Sequence, residues 1–98
     1  MFIKGNVRKD TRTPFITPVR YFVSVLEMRE LRRINDTAVS VDISIGGLGM
    51  LTGYPLEEGH VLNFENEINM NGITAKSAIV RWSGKLNGNN YRVGLKFI

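Results

Sequence analysis

Apolar and polar residues alternate one for one along most of this chain, and that period of two constrains the fold more than any other feature. Successive residues of a strand point to opposite faces of a sheet, so strict alternation marks a half-buried strand. Tyr21, Val23 and Val25 alternate with Phe22, Ser24 and Leu26. Val39, Val41, Ile43 and Ile45 alternate with Ala38, Ser40, Asp42 and Ser44, and the first set is expected to face the core. The pattern predicts strands over 20–28, 38–45, 47–52, 62–70, 73–82 and 90–97. Asn71-Gly72 and Asn87-Gly88 are two-residue hairpin signals between neighbouring strands. No segment carries a long helical period. Residues 27–33 read as a bridge between the first two strands.

Six short strands in a chain of 98 residues predict an all-β fold, a six-stranded antiparallel β-barrel closed around one core. The length allows a single domain, 1–98, with roughly 60–65% of the unfolded surface removed from water on folding. Residues 1–13 have no apolar period and read as a flexible N-terminal leader, leaving 14–98 for the barrel.

Composition narrows the function. There is no Cys and only one His, which excludes a disulfide framework, a thiolate metal site and a Cys nucleophile. Ser44 has no base to activate it, so an enzyme is not expected, nor is a bound metal or other cofactor. No 18-residue apolar run would span a membrane, and the start does not read as a signal peptide. A cytoplasmic module is expected. Its net charge of +4 is uneven. Residues 1–33 carry eight Lys/Arg against three acidic residues, and residues 34–98 carry five against six. A basic, arginine-biased front end suits an anionic partner, although basic termini also serve merely to keep a chain soluble.

Two motifs sharpen that inference. Arg8 and Arg12 form R-x-x-x-R at the end of the leader, a spacing that a chain this rich in Arg yields by chance roughly 0.6 times. Arg29 and Arg33 repeat it and read as loop charges. Asp42, Ser44 and Gly47 form D-x-S-x-x-G, with a chance expectation of only about 0.06. Asp42 and Ser44 are two apart on a strand and share its outer face. Glycine after them lets a ligand or another backbone approach closely. A plain Asp/Ser/Gly turn would use the same residues.

In their order and separation these motifs resemble the PilZ domain, a family of bacterial six-stranded barrels that bind the second messenger cyclic di-GMP. The resemblance covers most of the chain, including the closing string Tyr91-Arg-Val-Gly-Leu-Lys-Phe97. It implies that Arg8, Arg12, Asp42, Ser44 and Gly47 bind the ligand and that the leader orders around it, creating a surface for a downstream protein partner. The chemistry is compatible. Arginine forks onto phosphate or guanine O6 and N7, or stacks on a purine. Asp42 can accept from guanine N1–H and N2–H₂.

Lys9 adds attraction for phosphate. Trp82 either covers a guanine face or plugs the barrel end, and His60 reads as a solvated turn residue. Two other functions fit the same composition. One is a small barrel that binds single-stranded nucleic acid, disfavoured by the scarcity of aromatics on the predicted outer faces. The other is a PilZ-like interaction domain that binds no nucleotide.

Overall fold

The computed structural model describes residues 11–70 and 72–98. Alternation becomes a closed wall. The strands are β1 (Thr13–Pro14), β2 (Pro18–Glu27), β3 (Glu30–Ser44), β4 (Gly47–Thr52), β5 (Val61–Met70), β6 (Ile73–Asn87) and β7 (Asn90–Phe97). Neighbours run β3-β2-β5-β6-β7-β4, and β4 returns to pair with β3. Every pairing is antiparallel. The expected six-stranded antiparallel barrel is therefore present, with β1 added beside β3.

Closure leaves one inside for the apolar set. Val19, Tyr21, Val23 and Val25 of β2 meet Leu48 and Met50 of β4, Leu62 of β5, Val80 of β6 and Val93 of β7 there. The Tyr21 hydroxyl ends in a polar cluster. It donates to Asp36 Oδ2 at 3.0 Å and lies 2.9 Å from Thr52 Oγ1, which is itself 2.9 Å from Asp36 Oδ2. Burial pushes the Tyr21 phenol up from its ordinary range, and the Asp36 charge acts in the same direction.

One face of the sequence reading is corrected. On β3 the inward residues are Ala38 and Ser40, then Ile43, while Val39 is 44% exposed and Ile45 is 73% exposed. Ser40 pairs with Met50 and Asp42 with Gly49, so Val41 is an extra residue without a β4 partner. This is a β-bulge, which shifts the alternation by one position. Only Ile43 of the four expected core residues is fully buried. Ser40 fills its inward position by anchoring the segment between β1 and β2. It accepts from the Thr17 amide at 2.9 Å and donates to the Phe15 carbonyl.

The segment between the first strands is also corrected. Met28 and Arg29 both have positive φ, 49° and 70°, the signature of a tight two-residue hairpin turn. Residues 27 and 30 face each other across it, and β2 and β3 continue paired down to Val39. No bridge is needed. The resulting arm exposes Leu26, Met28 and Leu31, and Arg33 stacks on Phe22 at 3.8 Å along it. A second arm comes from β6, which runs to Asn87 rather than ending near residue 82. Among the described residues, no helix is long and apolar enough to cross a membrane.

Candidate functional site

A short strand delivers the first arginine. Thr13 pairs with Ile43 and Pro14 with Asp42, so the antiparallel register carries the preceding residue, Arg12, toward Ser44. Its guanidinium closes on both predicted partners. Nε and Nη2 donate to Asp42 Oδ1 at 3.0 and 2.8 Å, and Nη1 donates to Ser44 Oγ at 3.1 Å. The Arg12 and Asp42 side chains are 31% and 24% exposed, so water screens the pair only partly. Each hydrogen bond to a charged group contributes on the order of 1.5–3 kcal/mol. The paired wall therefore begins at Thr13, one residue before the expected barrel boundary, with Arg12 held beside it.

Beside this cluster lies a pocket of about 340 Å³ lined by Arg12, Asp42, Gly49, Arg81, Trp82, Arg92, Gly94 and Leu95. Its floor follows from strand register. Asp42 pairs with Gly49, Gly49 with Gly94, and Gly94 with Trp82. One transverse row of the wall thus carries a carboxylate, two glycines and an indole. The glycines open the space that the flanking side chains use. A Cβ at Gly49 would stand 2.6 Å from Asp42 Oδ1, and one at Gly94 would stand 2.8 Å from Trp82 Cζ2. Neither separation is tolerable without movement of the neighbour.

Bulges shape both banks. The extra Val41 lies just before Asp42. On β6, Val80 pairs with Leu95 and Trp82 with Gly94, which leaves Arg81 as an extra residue. A bulge re-aims the side chains next to it, and here Arg81 and its neighbour Trp82 both line the pocket. Arg92 of β7 completes the ring. Its Nη2 lies 3.8 Å from Asp42 Oδ2.

The predicted residues are thus distributed in three ways. Arg12, Asp42 and Ser44 come together in one bonded group, and Trp82 stands at the same pocket, 51% exposed and packed over Gly94. Gly47 is placed differently. It is buried outside the pocket, and a Cβ there would run into the Leu95 carbonyl oxygen of β7. Its missing side chain serves strand pairing, and the glycine that opens the pocket is Gly49. Arg8 and Lys9 lie outside the described residues. His60 accepts from the Glu57 amide at 3.0 Å through Nδ1 and fixes a turn.

Sequence reasoning missed Arg81, Arg92, Gly49 and Gly94 as pocket residues. Arg92 and Gly94 stand in the closing string of the resemblance, but only the register of β7 against β4 brings them beside Asp42. Among the described residues, no group of three or more His, Cys, Asp or Glu is arranged to hold a metal. The chain matches no family model and no curated protein.

Proposed function

We propose that this chain is a non-catalytic, cytoplasmic receptor for cyclic di-GMP, as its resemblance to the PilZ domain implies. One observation carries the reading. Arg12 comes from one motif, Asp42 and Ser44 come from another thirty residues away, and all three close into a single hydrogen-bonded group at the edge of a pocket. Three of the five N–H donors of Arg12 are engaged there, which leaves two donors and a flat face for a ligand. Trp82 offers a second flat face on the other bank, suited to stacking on a base. Guanine suits the site better than adenine, because its N1–H and N2–H₂ donate side by side to a carboxylate, whereas adenine sets a single donor beside an acceptor that the Asp42 carboxylate would repel.

Arg8 joins the ligand in this reading, and Lys9 adds attraction for its phosphates. The ordered N-terminal segment then forms part of a surface for a downstream protein. Fixing such a segment costs on the order of 1–2 kcal/mol per residue, which charge-assisted contacts to phosphate and guanine offset.

Titration calorimetry with cyclic di-GMP, cyclic di-AMP and a single-stranded oligonucleotide tests the reading. Binding of the guanine dinucleotide alone is expected, weakened about ten- to hundred-fold by Arg12→Ala or Asp42→Ala. Equal affinity for the adenine analogue, or no binding of either by folded protein, would sink it.

A further inference from the structure

The motif residues do not account for the charge of the pocket. Its lining holds three guanidinium groups, those of Arg12, Arg81 and Arg92, and one carboxylate, that of Asp42. Two positive charges remain in excess. Arg12 shares its charge closely with Asp42 Oδ1, whereas Arg92 meets the same carboxylate only at 3.8 Å, through Oδ2.

The Nε of Arg92 sharpens the point. Among the described residues it is the one buried side-chain nitrogen or oxygen without a hydrogen-bond partner. Leaving a donor on a charged group buried and unpaired is unfavourable, and its side chain lines an open pocket with excess positive charge. Arg92 also faces outward on the same side of β7 as Gly94, over which Trp82 lies. It stands two residues from Gly94 along β7, with its Nη2 3.8 Å from Asp42 Oδ2 and Trp82 lining the same pocket.

We propose that Arg92 is a further ligand-binding residue of this pocket, taking a phosphate group of the bound dinucleotide through its Nε–H and one Nη–H. The proposal rests on the receptor reading above and adds a residue that neither motif contains. A planar guanidinium presents Nε and Nη2 as a fork matched to two phosphate oxygens. Arg81, raised onto the pocket by its bulge, supplies the second excess charge. Two excess cations match the two phosphates of a cyclic dinucleotide. Arg12 and Asp42 then serve guanine recognition, and Arg92 serves the anion.

Two measurements on the full chain test this. Calorimetry compares wild type, Arg92→Gln and Arg92→Lys with cyclic di-GMP. NMR follows the Arg92 Nε–Hε resonance while either cyclic di-GMP or inorganic pyrophosphate is added. The expected result is an affinity about ten- to hundred-fold weaker in Arg92→Gln, with the Nε–Hε resonance shifted by both anions. Arg92→Lys keeps the charge but loses the fork. It is expected to bind about ten-fold more weakly and decides the matter if Arg92→Gln does not fold. If wild type binds the dinucleotide and the folded variants match it within two-fold, the role of Arg92 is overturned while the receptor reading stands. If cyclic di-GMP does not bind but pyrophosphate moves the Arg92 resonance, the receptor reading falls and the anion site stands. If neither ligand acts on wild type, both fall.

Discussion

Asp42 and Trp82 face each other across two glycines in a single row of the barrel wall, on strands that are not neighbours. Any side chain at Gly49 or Gly94 would fill the space between them. Alanine at either position suffers no left-handed backbone strain, because neither glycine has a positive φ; the nearest obstruction is the flanking side chain. Gly94→Ala should displace the indole, seen as a shifted Trp82 fluorescence spectrum, and weaken cyclic di-GMP binding at least about ten-fold. Gly49→Ala should weaken binding similarly by forcing Asp42 away from Arg12. Unchanged fluorescence in Gly94→Ala would refute the packing described.

Gly47→Ala should behave in the opposite way. Its Cβ would meet the backbone carbonyl of Leu95, which cannot rotate aside. Overpacking of this kind costs about 1–3 kcal/mol. Chemical denaturation should therefore show a clear loss of stability, larger than that of Gly49→Ala. A Gly47→Ala protein of full stability and impaired binding would return this glycine to the ligand site.

Ser40 links the core to the arginine. Its hydroxyl holds the segment that leads from β1 into β2, and β1 in turn carries Arg12. Ser40→Ala leaves the Thr17 amide without its partner, a loss of about 1–3 kcal/mol. It should also weaken cyclic di-GMP binding, although Ser40 does not line the pocket. Calorimetry and urea unfolding on the same protein would separate the two effects.

Tyr21 makes the fold sensitive to alkali. Its phenol ionises at higher pH in the folded chain than at the ordinary value of 10.0. The unfolded chain therefore loses this proton first. The stabilisation is complete below the ordinary value and is lost as pH rises toward the folded one, by up to about 1.4 kcal/mol per pH unit. Urea midpoints of wild type should fall more steeply above pH 10 than those of Tyr21→Phe. Parallel curves would exclude this linkage.

Much of the architecture was legible because alternation reports burial directly. Tyr21, Val23 and Val25 face the core as their spacing requires, and the barrel follows from closing such strands on themselves. The β2–β3 turn was not legible, since Met28 and Arg29 adopt positive φ without the Asn or Gly that usually announces it. Bulges were hidden for a related reason. Val41 and Arg81 are ordinary strand residues, and only the partner strand reveals that each is one too many. Within the site, Arg12, Asp42 and Ser44 could be named because they recur at short fixed spacings. Arg92 and Gly94 could not, because they reach the pocket only through the pairing of β7 with β4 and β6.

The two bulges make residue count, as well as residue identity, a determinant of this wall. Deleting Val41 or Arg81 would leave every other side chain intact yet restore a regular pairing. Ser40, Ile43 and Val80 would still face in and Asp42 and Trp82 out, but the local kink that aims Asp42 and Trp82 at the pocket would be gone. Single-residue deletions at 41 and 81 should therefore spare the core yet reshape the pocket, and a homologue that aligns without gaps through both strands preserves the wall even where its side chains differ.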